Sequence, residues 1–264
     1  MSRLILITGG SSGIGKQLAA DFLTAGDRVI VVGEKSERLH HAVAELSGIA
    51  SSVSGICCDV GAPGDVERMR AQVLGTHGCP DILINNAGFA TYRTFEQSDP
   101  DEIEQLINVN LLGAMRCARA FLPDMIARRA GAIVNMASIA GRLTITPNAT
   151  YGAAKHGLVA WSDALRHELA RFNIQVNAVC PGRIETPFFD HETFKRRAPR
   201  PETRFTITVQ DAARATRRAI ARNRFVTYVP WTLGLLVWLT NVMPFLIRPV
   251  YGRLLRNRVE SLYR

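Results

Sequence analysis

Tyr151 and Lys155 stand four residues apart, at the start of a stretch whose periodicity predicts a helix over 152–171. A phenol and an ammonium at that spacing share one helical face and can point into one cleft. A cation that close favours the phenolate and draws the tyrosine's pKa down from about 10 toward the working pH, where it can exchange a proton with a substrate. Ser138 follows a strand predicted to end at Met136. Its hydroxyl therefore falls at the carboxyl end of a sheet, the crevice where open α/β folds bind their ligands.

A second constellation lies near the start of the chain, where Thr8-Gly9-Gly10-Ser11-Ser12-Gly13-Ile14-Gly15 separates a strand from a helix. Glycines in such a turn let backbone N–H groups and the positive helix end approach a pyrophosphate. An ordinary tight turn uses glycine too. The strand before and the helix after favour the phosphate reading.

Positioning these groups requires a regular alternation of elements. Short apolar runs, Leu4–Thr8, Arg28–Val32, Ser54–Cys58, Ile82–Asn85, Ala132–Met136, Ile174–Val179 and Phe225–Val229, read as strands that are apolar on both faces. Between them, 14–25, 36–46, 65–76, 101–128, 152–171 and 210–221 read as helices. This predicts an α/β fold: a single Rossmann-like, doubly wound domain with a seven-stranded parallel sheet flanked by helices. Residues 183–208, rich in Pro, Arg and Phe, and those after 230 fit the alternation poorly.

Asn85-Asn86-Ala87-Gly88 after the fourth strand, Asn110 within 101–128, and Pro181-Gly182 with Thr186 after the sixth strand complete the set. With the glycine turn and Ser138, Tyr151 and Lys155, they resemble the short-chain dehydrogenase/reductase family over residues 3 to about 229. The resemblance implies an NAD(P)-dependent oxidoreductase. It implies that Tyr151 is the general acid in ketone reduction and the base in alcohol oxidation, that Lys155 lowers its pKa and holds the nicotinamide ribose, that Ser138 binds the substrate oxygen, and that Asn110 holds a water in a proton relay. Gly9, Ser12, Gly13, Ile14 and Gly15 would line the pyrophosphate and adenosine. Asp59 and Val60 match the adenine contact, Asn86 and Gly88 flank the cofactor, and Pro181, Gly182, Ile184 and Thr186 lie where the carboxamide is held. Residues 183–208 would then be a substrate lid, with Phe188 and Phe189 facing substrate or core. Asp59 as a helix N-cap and Asn110 as a helix-bending polar residue are the competing structural readings.

For the choice between NAD and NADP, Gly33 stands where NAD-dependent members usually carry an acid. Glu34 stands where NADP-dependent members often carry Arg. Glu34 would accept hydrogen bonds from ribose hydroxyls and repel a 2′-phosphate, while Lys35 would attract one, which gives a slight lean to NAD.

The 264 residues are 47% hydrophobic and 21% charged, the mix of a folded globular chain. Five cysteines without CxxC spacing predict no disulfide framework and no zinc site, and they fit a reducing cytosol. Cys57 and Cys58 read as small hydrophobes ending a buried strand. His40, His41, His77, His156 and His167 are scattered, so no metal site is expected. The apolar run at the N-terminus is short and ends in glycines, so no export is expected.

The formal charge of +9 is uneven. Residues 195–224 carry ten Lys/Arg against Glu202 and Asp211, and residues 248–264 carry five Arg against Glu260, so the rest of the chain is slightly acidic. Residues 225–247 carry no charge, but with Pro230 closing the last strand, Trp231–Ile247 is roughly 25 Å as a helix, short of a bilayer core of roughly 30 Å, and it contains Asn241 and Pro244. The chain is thus expected to comprise a catalytic domain, 1–230, and an apolar, basic helical extension, 231–264. The extension is expected to lie peripherally on an anionic membrane from the cytoplasmic side, through Trp231, Trp238, Tyr251 and the arginines. A soluble oligomer contact or a cover for the substrate site is the alternative.

The function expected is interconversion of a ketone and a secondary alcohol on a small lipophilic substrate. Two alternatives stand beside it: a soluble reductase of 3-oxoacyl thioesters, and a dinucleotide-binding regulatory protein without turnover. A homodimer or tetramer is the assembly expected. The arginines match no nucleic-acid motif, so no nucleic-acid partner is expected.

Overall fold

Strands whose residues are apolar on both faces are stable only where helices shield each side of the sheet. β1 (Leu4–Thr8), β2 (Arg28–Gly33), β3 (Val53–Cys57), β4 (Ile82–Asn85), β5 (Gly131–Met136), β6 (Ile174–Pro181) and, after two short strands, β9 (Val226–Val229) form this sheet in the order β3-β2-β1-β4-β5-β6-β9. All six neighbouring pairs are parallel. The short strands β7 (Arg183–Ile184) and β8 (Thr206–Ile207) pair with each other, a ladder the alternation did not foretell. In this computed structural model, residues 2–184, 193–194, 206–260 and 262–263 are described. Most of 183–208, with Thr186, Phe188 and Phe189, lies outside them.

Successive side chains of a strand point to opposite faces, and the core divides accordingly. Leu4 and Leu6 of β1, with Ile30 and Val32 of β2, join Met69 of α3 (Pro63–Thr76), Phe121 of α5 (Ala114–Arg128) and Leu165 of α6 (Ala149–Leu169). Ile5, Ile7, Val29 and Val31 face the other way, against Leu18 and Phe22 of α1 (Gly13–Thr24), Leu39 of α2 (Ser36–Ser47) and Ile220 of α7 (Val209–Ala221). The direction of strand succession reverses between β1 and β4. That reversal opens a crevice at the carboxyl ends of the strands, where the glycine turn meets the Asn86 loop.

The stretch expected as one helix over 101–128 is divided. α4 (Pro100–Ile107) passes into a π-helical turn, Asn108–Gly113, before α5 begins. Asn110 Nδ2 donates to the Leu106 carbonyl at 3.0 Å and to the Phe89 carbonyl at 2.8 Å, so a side chain competes with the backbone ladder at the point where the helix widens. Cys57 and Cys58 also part company. Cys58 is buried, whereas Cys57 is exposed and its thiol donates to the Glu34 carbonyl. Asp59 does not cap α3, whose N-cap is Ala62; its Oδ1 accepts from the Gly61 N–H at 2.8 Å.

After β9 the chain forms α8 (Thr232–Val242) and α9 (Pro244–Glu260), bent by 115° at the break between them. Leu233 and Val237 of α8 are buried, and Gly234 lies so close to the Tyr228 ring that a Cβ there would meet Cδ2 at 2.7 Å. α9 then returns over the loop between Ser138 and Tyr151: the Tyr251 hydroxyl donates to the Thr144 carbonyl at 2.7 Å, and the Thr146 hydroxyl donates to the Leu255 carbonyl at 3.3 Å.

Candidate active site

The glycine turn owes its shape to contacts that tolerate no side chain. Gly9 and Gly13 have φ of 61° and 51°, and a Cβ on Gly15 would lie 2.4 Å from the Gly9 carbonyl oxygen. Ser12, the N-cap of α1, makes no capping bond with its side chain, and the first turn holds no acid. The leading N–H groups of α1 therefore offer an anion site without a resident carboxylate. Asn86 secures this turn from the neighbouring strand. Its Nδ2 donates to the Thr8 and Gly9 carbonyls at 3.1 and 2.9 Å, while the Thr8 hydroxyl accepts from the Asn86 and Ala87 N–H groups.

The turn opens into a cleft of about 800 Å³ that runs the width of the crevice. Glu34, Lys35, Asp59 and Val60 line it beyond β2 and β3, and Gly88, Pro181, Gly182 and Ile184 line it beyond β4 and β6. Arg38, in the first turn of α2 and four residues after Glu34, lines the same rim; the spacing alone could have flagged it.

Ser138, Tyr151 and Lys155 converge in this cleft. The Ser138 hydroxyl accepts from the Ala140 N–H at 3.1 Å and hydrogen-bonds the Tyr151 phenol. Lys155 Nζ lies 5.7 Å from the centre of the Tyr151 ring and donates to the Met136 carbonyl at 3.0 Å. Burial dominates the electrostatics. Desolvation pushes Tyr151 up to about 12 despite the hydrogen bond with Ser138, and desolvation lowers Lys155 to about 8. Reasoning from the spacing considered the cation alone and so anticipated a lowered phenol; the protein's own groups place it higher.

Asn110 faces the same point. With Nδ2 committed to two carbonyls, its buried Oδ1 has no hydrogen-bond partner. Gly88 separates it from the lysine: a Cβ there would lie 2.5 Å from Asn110 Oδ1 and 3.6 Å from Lys155 Nζ. A side chain would occupy that space, whereas glycine leaves it open to a bridging water between two polar groups. The donor-lined helix end at the glycine turn and the Tyr151–Lys155 end of the cleft together fit a dinucleotide, whose phosphates would meet α1 and whose nicotinamide ribose would meet Tyr151 and Lys155.

Beyond Tyr151, Tyr92, Ile145, Phe194 and Arg258 line the cleft, and through Arg258 the extension thus forms part of its wall. No local pattern marks Arg258, because only the return of α9 brings it there. Among the described residues no group of three or more His, Cys, Asp or Glu is disposed to hold a metal. No single described helix is long and apolar enough to cross a membrane; α8 and α9 reach that length and composition only as a bent pair.

A family model described as short chain dehydrogenase matches residues 3–196. The chain is 32% identical over 218 residues to ketoacyl reductase HetN of Nostoc sp., covering 83% of this chain and 75% of that one. It is similar to a short-chain dehydrogenase from Sphingobium yanoikuyae solved in complex with NADPH, with a TM-score of 0.79, 30% identity and coverage of 86% and 88% of the two chains. It is similar also to a short chain dehydrogenase/reductase from Burkholderia phymatum solved in complex with NAD, with a TM-score of 0.81, 25% identity and coverage of 91% and 93%.

Proposed function

The chain belongs to the short-chain dehydrogenase family and is an NAD(P)-dependent oxidoreductase of ketones and secondary alcohols; we propose that its substrate is lipophilic and that Ser138, Tyr151, Lys155 and Asn110 carry the proton chemistry. The observation that carries this reading is the convergence of the Tyr151 phenol, the Ser138 hydroxyl and the Lys155 ammonium in the cleft that also holds the glycine turn.

In the reductive direction the Tyr151 hydroxyl donates its proton to the carbonyl oxygen, which the Ser138 hydroxyl orients by hydrogen bonding. The nicotinamide, when bound, supplies the hydride. The phenolate left behind is stabilised by the Ser138 hydrogen bond and the Lys155 ammonium. Asn110 Oδ1 accepts from a water beside Gly88, through which the proton is replaced. In the oxidative direction each transfer reverses. Replacing Tyr151 with Phe tests this assignment, because it removes the transferable proton while leaving the ring.

The domain reading that fits is a catalytic unit, 1–230, with 183–208 as its lid and 231–264 as an extension. The exposed apolar side chains Trp231, Trp238, Phe245 and Val250, with Arg248, Arg253 and Arg256 close by in sequence, support peripheral docking on the anionic cytoplasmic face of a membrane. A lipid-facing extension suits a substrate drawn from that membrane. For the cofactor, Glu34 supports a preference for NAD by opposing a 2′-phosphate, and Lys35 and Arg38 on the same rim keep that preference small. The likeness to a ketoacyl reductase favours, as the second reading, a soluble reductase of 3-oxoacyl thioesters.

A further inference from the structure

Two stretches that a bound dinucleotide would touch near its opposite ends rest on one another. With its phosphates at α1 and its nicotinamide ribose at Tyr151 and Lys155, the dinucleotide would lay its adenosine on the rim lined by Glu34, Asp59 and Val60. The loop that carries Asp59 and Val60 packs on the π-helical turn Asn108–Gly113, which carries Asn110. A Cβ on Gly113 would lie 2.8 Å from Val60 Cγ2, and one on Gly61 would lie 3.2 Å from Val109 Cγ2, so the two segments meet without slack. Val109 lines the cleft alongside Val60, while its neighbour Asn110 is buried, with Oδ1 toward the space beside Gly88.

Arg116 joins the two segments. It is half-buried in the first turn of α5, and its guanidinium reaches back over the π-helical turn. Nη1 donates to the Gly61 carbonyl at 2.9 Å and to the Asn108 carbonyl at 3.4 Å, and Nη2 donates to Asn108 Oδ1 at 3.2 Å. A planar guanidinium holds its donors in a fixed fork, so binding acceptors on two segments at once fixes the distance between them. Single π-helical turns within α-helices are rare, and they recur at functional sites. This one is held on both sides: Arg116 binds Asn108, and Asn110 Nδ2 binds the Leu106 and Phe89 carbonyls.

We propose that Arg116 is a positioning residue that couples the adenosine rim of the cleft to the proton relay: by binding Gly61 and Asn108 together, it sets the seat of Asp59 and Val60 and the place of Asn110 Oδ1 at once. This rests on the reading above, in which Asn110 holds the water that replaces the Tyr151 proton, and deepens it by naming what holds Asn110. Adenosine on the rim steadies the loop, and the Arg116 fork carries that steadiness into the turn, so that the relay is best ordered when cofactor is bound.

The test uses the full chain and reads amide hydrogen exchange with and without saturating adenosine monophosphate, which can occupy the rim while leaving the nicotinamide end empty. In the wild-type protein the nucleotide is expected to slow exchange both in the loop at 59–62 and, at least threefold, in the turn at 108–113. Arg116→Gln is expected to keep the protection of the loop and lose that of the turn, and Arg116→Lys, which folds with the charge in place, to retain part of it. Protection of the turn that is absent from the wild type, or undiminished in both variants, overturns the coupling. Steady-state rates on 2-decanone, 1-tetralone and ethyl acetoacetate supply the second reading. Arg116→Gln is expected to lower kcat at least tenfold alone, but less than twofold in an Asn110→Ala background, because both changes disable the same relay. Losses that multiply, or a lowered melting temperature with kcat unchanged, mark Arg116 as a structural brace and overturn the assignment. Wild-type turnover in Asn110→Ala would instead remove Asn110 from the relay while the exchange results stand, so the two failures are distinguishable.

Discussion

Lys155 Nζ donates to the Met136 carbonyl at 3.0 Å from a site where burial holds its ammonium near a pKa of about 8. The displacement from 10.5 corresponds to a destabilisation on the order of 3 kcal/mol wherever the lysine is charged in both the folded and unfolded chain. Methionine keeps the length of the side chain and removes the charge, though it forfeits the bond to Met136. Lys155→Met is therefore expected to raise the melting temperature by a few degrees at neutral pH while abolishing turnover. Because the folded pKa is the lower one, the unfolded chain binds more protons between pH 8 and 10.5. The gain should be full below about pH 8 and shrink as pH rises through that window, which melting curves across pH will check.

Tyr151→Phe should leave dinucleotide binding within a few fold and reduce turnover by roughly 10²–10⁴. The ring still fills its place beside Tyr92 and Phe194, so folding is retained. Cofactor titration and steady-state rates on the same preparation separate the two effects, and near wild-type turnover would remove Tyr151 from the proton path.

Gly88→Ala puts a methyl group 2.5 Å from Asn110 Oδ1. Oδ1 must then move, and the space that glycine leaves open for a bridging water is closed. Turnover is expected to fall at least tenfold with a loss of stability of about 1–3 kcal/mol, the usual scale for overpacking a filled space. Unchanged rates in a folded variant would show that this oxygen has no part in proton replacement.

Glu34→Arg is expected to move the ratio of kcat/KM for NAD over NADP toward NADP by at least tenfold, since it replaces repulsion of a 2′-phosphate with attraction on a rim that already holds Lys35 and Arg38. A wild-type enzyme that already prefers NADP would transfer the ribose reading to Lys35 and Arg38.

Membrane docking is better tested by substitution than by truncation, because cutting after Pro230 would uncover the body beneath Leu233 and Val237 and open the substrate end of the cleft. Trp238 and Phe245 are 55% and 71% exposed, so their replacement with Glu leaves the packed side of the extension intact. The double variant is expected to lose sedimentation with vesicles containing phosphatidylserine, and high salt should weaken binding of the parent chain, since the Debye length drops below about 8 Å. Binding that survives both changes would contradict a headgroup-level contact.

The alternation of apolar runs and periodic stretches was enough by itself to locate seven strands, their parallel pairing and the crevice at their carboxyl ends, because burial on both faces of a strand leaves a local mark. The same holds for the glycine turn and for the Tyr151 and Lys155 pair, whose spacing is a property of one helix. Local spacing said nothing of how deeply Tyr151 and Lys155 are buried, and burial decides the direction in which their proton affinities move. It read 101–128 as one helix, since an Asn that widens a turn looks like any polar helical residue until its amide finds the Phe89 and Leu106 carbonyls. Arg258 was hidden for the plainest reason: it belongs to the site only because α9 folds back over the loop before Tyr151, and contacts between residues so distant in the chain exist only once the chain has closed on itself.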